Sequence, residues 1–411
     1  MSRPESEIER KLRAIRAPDE SGAEERAGAL VRRAAAGLHE PASRRRLPAP
    51  RRTLAALASV AVLAALSLSP AGAAVGELIG DAFDGEPEYE ALTALPGSGT
   101  LLVHADSGLW AVRSDGSRRR LGDYTDGAWS PHGLYVLATA ANRLTALTAA
   151  GDIHWTLSRP DEVTMPAWSR GLGYRVAYLS GGQIRIAAGD GSDDHRLAAA
   201  AAVRPAWRQP PPRDPGREEV SFVPRRARGS VRSVDVASSK LTAIAEPRIG
   251  PIHSLAWSDR DRLLAIGSRG WALLDHAGRI LDRIRPAASS IVDGAISPNG
   301  GRVAILAQGY GASGARSELT LYRTVGKQLH SRTVFSAPGV LSGVRFSPRG
   351  EWLLLSWPET DQWVFINLAT HRKLIRRARS IGDIAAQFAP GKSDALEAPT
   401  LGGWCCQASG R

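Results

Sequence analysis

Residues Ala128–Gly133 read AWSPHG, and the same short phrase returns along the chain. It recurs as AWSRGLG at Ala167–Gly173, AW at Ala206–Trp207, AWSDRD at Ala256–Asp261, AISPNGG at Ala295–Gly301, RFSPRG at Arg345–Gly350 and QFAPGK at Gln387–Lys392. Measured at the aromatic or apolar anchor, Trp129, Trp168, Trp207, Trp257, Ile296, Phe346 and Phe388 follow one another at 39, 39, 50, 39, 50 and 42 residues. A period near 40 residues, with several short strands in each unit, is the pattern of propeller blades.

The strands of a unit can be read directly. Leu134–Ala140 (LYVLATA), Arg143–Thr148 (RLTALT) and Ile153–Leu157 (IHWTL) follow the first anchor. Arg262–Ser268, Trp271–Asp275 and Arg279–Ile284 repeat the order. Each run is short, apolar or alternating, and punctuated by Gly, Asn or Asp, which is strand-and-turn grammar rather than helical periodicity. A four-stranded unit cannot cover both of its faces, whereas a ring of such units can. The anchor ring wedges between neighbouring blades, and in Ser-Pro-x-Gly the proline fixes φ while the glycine supplies the positive φ of a tight turn. The expectation is an all-β, seven-bladed propeller over residues 91–411, with six or eight blades as the alternatives. For closure, Leu101–His104, Leu109–Arg113 and Arg119–Leu121 supply three strands of the first blade, and Ile384–Phe388 reads as the inner strand that pairs beside Leu101–His104.

The anchor followed by Ser-Pro-x-Gly and an apolar strand resembles the TolB-like propeller repeat, a relative of WD-repeat blades. The resemblance covers roughly Leu95 to Phe388. It departs from the pattern at Trp207, where Arg-Gln-Pro-Pro-Pro replaces Ser-Pro-x-Gly, and at Ile296, where the aromatic is lost. It implies a binding platform for proteins or envelope components rather than an enzyme. The layout also looks like actinobacterial-type membrane propellers, some resembling partners of sigma-factor regulators.

Ahead of the repeats, Thr53–Ser69 (TLAALASVAVLAALSLS) carries no charge, and the apolar character continues to Val75. Roughly 20 such residues span a bilayer as a helix. Arg44, Arg45, Arg46, Arg51 and Arg52 precede the run, and Glu77, Asp81, Asp84, Glu86, Glu88 and Glu90 follow it. This asymmetry predicts a cytoplasmic tail at 1–52, a transmembrane anchor at 53–75, a linker at 76–90 and an extracytoplasmic propeller. A signal peptide cleaved near Ala71-Gly72-Ala73 is the alternative. In the tail, Ile8, Leu12 and Ile15, and then Ala27, Leu30, Val31, Ala34 and Leu38, are spaced as two short amphipathic helices, with a disordered basic tether as the alternative.

The formal net charge is +12. That favours anionic partners, but the arginines are scattered and form no nucleic-acid motif, so no nucleic-acid partner is expected. The only cysteines are the adjacent Cys405 and Cys406, so neither a disulfide framework nor a cysteine zinc site is available. They either form a vicinal disulfide or pack as small residues at the end of a terminal strand. No nucleophile elbow, zincin motif or phosphate loop is present, and no catalytic residue, cofactor or metal is expected. Asp190–His195 (DGSDDH) offers oxygens for calcium but reads better as a solvated turn.

The two 50-residue spacings mark insertions, after Trp207 in Arg208–Glu219 and after Ile296 in Gly309–Ser317. Insertions in repeat arrays map to loops on one face, often the binding face. Arg208, Arg213, Tyr310 and Arg316 are therefore the candidate partner-binding residues. The expected function is a membrane-tethered, non-catalytic platform for a protein or envelope component. The alternatives are an anti-sigma-like regulator whose tail binds a cytoplasmic transcription factor, and an enzyme of unknown chemistry.

Overall fold

The computed structural model describes residues 90–406, apart from 172, 211–216, 287–288, 312–313, 326–327, 369–377 and 390–396. The described residues form seven sheets, each with four antiparallel strands. Blade 2 runs from Asp126–Trp129 to Ile153–Ser158, blade 3 from Val163–Trp168 to His195–Ala200, and blade 4 from Ala206–Arg208 to Leu241–Ala245. Blade 5 runs from Ile252–Trp257 to Ile280–Ile284, blade 6 from Ser290–Ile296 to Gln328–Pro338, and blade 7 from Ser342–Phe346 to Ala378–Ile381. Blade 1 is composite: its inner strand is Thr400–Cys405, and Thr100–Ala105, Gly108–Arg113 and Arg118–Gly122 complete it.

In blades 2, 5, 6 and 7 the repeated phrase builds the same turn. The serine after the anchor donates its N–H to the carbonyl that opens the second strand: Ser130 to Tyr135 at 2.9 Å, Ser258 to Arg262 at 2.9 Å, Ser297 to Arg302 at 2.9 Å and Ser347 to Trp352 at 2.9 Å. Its hydroxyl accepts the reciprocal backbone N–H, from Tyr135, Arg302 and Trp352 at 3.0 Å and from Arg262 at 3.3 Å. Both polar groups of these buried serines are thereby satisfied inside a turn that brings the chain back antiparallel.

The core lies between blades rather than within them. Each of the seven joints holds one apolar cluster, such as Ala304, Leu306 and Phe335 of blade 6 with Val344, Phe346 and Trp357 of blade 7. The joint between blades 7 and 1 packs Trp352, Trp363 and Phe365 against Leu101, Val103 and Trp404. Two neighbours therefore cover each sheet, which explains why middle strands such as Val176–Ser180 and Trp352–Trp357 are apolar and buried throughout. The anchors act as wedges: Trp207 donates its indole N–H to the Ala167 carbonyl of blade 3 at 3.1 Å, and Trp257 donates to Ser221 Oγ of blade 4 at 3.1 Å.

Ring closure differs from the expectation in its segment. Ile384–Gln387 is a single helical turn, not a strand, and the residues beside the first blade's second strand are Thr400–Cys405, with Leu101 opposite Trp404 and His104 opposite Thr400. Phe388 is instead a buried plug with its ring 5.6 Å from Trp110 and 5.5 Å from Trp363. The turn is fixed by Asp361, whose carboxylate accepts the Ala385 N–H at 2.8 Å and whose carbonyl accepts that of Ile384 at 3.3 Å. A second latch reinforces blade 7, where Glu90–Ala91 adds a parallel fifth strand against Arg379 and Ser380. At the end of this closing strand Cys405 and Cys406 form a vicinal disulfide, their sulfurs 3.4 and 3.5 Å from the Ser130 carbonyl.

The predicted tail at 1–52 and anchor at 53–75 lie outside the described residues. Among the described residues no helix is long and apolar enough to cross a membrane.

Candidate functional site

Every inner strand ends at its anchor or one residue beyond it, so the ring has an anchor face, carrying the serine turns, and an opposite face. That opposite face, called the mouth face below, carries the turns between second and third strands together with the connections from one blade to the next. A channel of about 960 Å³ runs between the faces along the inner strands.

The start of the inner strands is charged. Arg204, at the entry to blade 4, donates from one terminal nitrogen to both carboxylate oxygens of Asp126 of blade 2, at 2.6 and 2.8 Å, and from the other to the Pro166 carbonyl. Asp126 further accepts the N–H groups of Gly127 at 2.7 Å and Met165 at 3.2 Å, tying blade 2 to blade 3. Asp293 of blade 6 plays the same part, accepting from Gly294 at 2.7 Å, from Val344 of blade 7 at 2.9 Å and from Arg345 at 3.2 Å. Arg345 continues to the Gly402 and Leu401 carbonyls at 2.6 and 2.8 Å, reaching the closing strand. His104 stands 4.0 Å from Asp126, and its Nε2 is buried without a partner. Burial pushes this imidazole below its usual value; the Asp126 charge opposes the shift, and the Arg204 and Arg345 charges add to it. Both channel arginines are matched by carboxylates and backbone carbonyls, so this belt joins blades rather than waiting for an anion.

The described ends of the insertion after Trp207 pack inward. Arg208 is not a loop residue: it sits on the inner strand of blade 4, about 8% exposed. There it binds Asp261 of blade 5 through two nitrogens at 2.5 and 2.7 Å and Glu219 at 3.1 Å, above the Trp257 ring. Glu218, also buried, accepts from Ser169 of blade 3 at 2.7 Å and lies 3.4 Å from Arg175. Arg208 and Glu218, at the two ends of the insertion, therefore staple three successive blades at the anchor face, and Arg208 is taken up by these contacts. Arg213 lies outside the described residues.

The insertion after Ile296 turns outward, and it is not a loop either. Three strands of blade 6 are prolonged to 10, 12 and 11 residues: Arg302–Gly311, Gly314–Val325 and Gln328–Pro338. The first two pair without a break from Arg302–Arg323 to Gly311–Gly314, so the hairpin rises from the mouth face. Tyr310 stands near its tip, 79% exposed, between Gly309 and Gly311 and opposite Ala315. Arg316, on the returning strand, is exposed and donates Nε to Ser336 at 2.9 Å. The structure thus brings Tyr310 and Arg316 together on one hairpin and separates both from Arg208.

The Asp190–His195 turn is committed to protein contacts. Asp194 accepts from the Tyr178 hydroxyl at 2.5 Å, from Arg185 at 3.0 Å through two nitrogens and from Arg159 at 2.7 Å. Burial alone would raise its pKa, but these hydrogen bonds and the two arginine charges hold it below the ordinary carboxylate value. Burial and the bond to Asp194 push the Tyr178 phenol upward. Asp190 caps its own turn through Ser192. Among the described residues no group of three His, Cys, Asp or Glu side chains is arranged to hold a metal ion.

No family model matches the chain, and no curated protein matches it. Solved structures do. Hsv2p of Kluyveromyces lactis is similar at 10% identity over 71% of this chain and 95% of that one, with a TM-score of 0.51. A chain of the Mitotic Checkpoint Complex is similar at 15% identity over 69% of this chain and 95% of that one, with a TM-score of 0.50. The C-terminal WD40 domain of Sif2 is similar at 14% identity over 69% of this chain and 81% of that one, also with a TM-score of 0.50. At such identities the likeness speaks for the fold alone, and that fold is a seven-bladed β-propeller of WD40 type.

Proposed function

We propose that this chain is a membrane-tethered, non-catalytic propeller of TolB-like character that presents its mouth face to a protein or envelope component. The observation that carries the reading is the hairpin of blade 6. An ordinary blade needs no such extension, and the hairpin spends it on raising Tyr310 to 79% exposure with glycines on either side. A rigid aromatic ring on an ordered, strand-paired support contacts a partner at low entropic cost, and Arg316, one pair along on the other face of the same hairpin, adds a charge to a partner that straddles it. The charge asymmetry around residues 53–75 supports the tether.

The test places a photo-reactive phenylalanine analogue at position 315, opposite Tyr310 on the hairpin, in the full chain in its native membranes. An adduct that survives carbonate washing with the membrane, and that is lost in Tyr310→Ser/Arg316→Glu chains of unchanged circular dichroism, is the expected result. Partner capture that is indifferent to those substitutions but abolished by deleting residues 1–50 would instead make the tail the business end, as in the regulator alternative.

A further inference from the structure

A second feature of the mouth face lies away from the Tyr310 hairpin, at the joint of blades 4 and 5. A cleft of about 590 Å³ opens there, lined by Arg248, Arg269 and Arg285 with the backbone at Ala227, Gly229 and Ser230. Glu246 is the one carboxylate in its lining, so the side chains leave the cleft with 3 − 1 = 2 net positive charges. All three arginines are exposed, and among the described residues none of the three enters an ion pair, whereas the channel arginines Arg204 and Arg345 are both matched by aspartates.

Two glycines border these side chains, each also crowded by a nearer atom, Ser268 Oγ at 2.6 Å from a Cβ on Gly250 and the Ile284 carbonyl at 2.4 Å from one on Gly270. Gly250 has φ +81°, and a Cβ on it would lie 3.1 Å from Arg269 Nε and 3.3 Å from its Cγ. A Cβ on Gly270 would lie 2.8 Å from Arg285 Cγ. Two arginine stems therefore rest on bare backbone, with their heads left at the cleft. The walls are fixed by backbone bonds, Arg269 N–H to the Ile249 carbonyl at 2.9 Å and Ile252 N–H to the Arg228 carbonyl at 2.7 Å. Exposed Arg225, Arg226 and Arg228 on the adjoining turn add to the positive field. Like charges gathered without counter-ions repel one another, and a multivalent anion is the ligand that relieves the repulsion.

We propose that this cleft binds a small polyanion carrying two or more phosphate groups. The guanidinium fork matches phosphate oxygens in bidentate fashion. The volume falls within the range of small-molecule sites and exceeds what a single phosphate ion would fill. The proposal stands on the cleft and its charges, and does not require the Tyr310 reading.

The experiment titrates inorganic tripolyphosphate into the purified full chain in neutral detergent micelles, followed by calorimetry, and repeats it with micelles doped with cardiolipin, a lipid carrying two phosphates. Saturable binding of either probe is expected, weakened at least tenfold by Arg248→Glu/Arg269→Glu and partly retained by Arg248→Lys/Arg269→Lys, whose circular dichroism reports the fold. Arg323→Glu/Arg332→Glu, an equal change of charge on the outer strands of blade 6, and Tyr310→Ser should both leave binding unchanged. Tripolyphosphate binding assigns a free polyphosphate, and binding of cardiolipin alone assigns a lipid headgroup. Equal losses in the cleft and blade 6 pairs, or no binding of either probe, would overturn the proposal.

Discussion

Asp194 holds Tyr178, Arg185 and Arg159 at once from a turn that reads, in sequence, as a string of solvated polar residues. Its partners come from three different segments, and only the folded blade reveals that the fifth residue of DGSDDH is the buried one. Replacing Asp194 by Asn should lower stability by about 2–3 kcal/mol in urea titrations, because two guanidinium groups lose their counter-charge and one of the two acceptor oxygens becomes an NH2 donor. Asp190→Asn, in the same turn but fully exposed, should leave the midpoint where it is. The pH profile follows from two downward shifts, one on a base and one on an acid. His104 is held below its unfolded value, so the folded state resists protonation, and stability should begin to fall as pH drops below about 6.5. Asp194 is likewise depressed, but as an acid it stabilises the fold above its unfolded value, and that contribution is lost as pH falls further, through the folded value. Melting temperature should therefore decline in two stages on acidification; His104→Gln should flatten the first and Asp194→Asn the second. A single stage unaffected by His104→Gln would refute the assignment.

Most inner strands announce themselves through an anchor, a serine and a turn glycine, and six of the seven anchors read from sequence are where the structure has them. The seventh is not. QFAPGK imitates the phrase, but Phe388 follows a helical turn held by Asp361, while the true closing strand, TLGGWC at Thr400–Cys405, carries cysteine where its counterparts carry serine. Trp404 was the available signal, since it stands as the other anchors do, at the end of a short apolar run. The insertions were legible in position but not in form. One became staples, because Arg208 and Glu218 find partners on blades that sequence cannot align, and the other became a longer hairpin. The closing element carries its own prediction. Trp404→Ala should cost about 3–5 kcal/mol, the usual penalty for removing a large buried ring. A chain ending at Ala398 should show no cooperative unfolding, and a synthetic peptide of residues 397–411 should restore it by pairing beside Thr100–Ala105. Cooperative melting of the shortened chain without the peptide would show that the strand is dispensable.

At the scale of the molecule, seven apolar clusters occupy seven joints, and no blade owns a core. Loss of any one blade strips its two neighbours of a face each, so thermal unfolding of the propeller should be a single transition, with tryptophan fluorescence and far-ultraviolet circular dichroism coinciding. Separated transitions would mean that blades stand alone. The composite first blade has a further consequence, one of timing. Leu101 and its partner Trp404 are 303 residues apart in the chain. At ribosomal speeds of roughly 5–20 residues per second, the exposed edge of Thr100–Ala105 waits on the order of 15–60 seconds for its neighbour to be made. During that interval blades 2 to 7 can assemble in order, while the first remains an open invitation to any other strand in the vicinity.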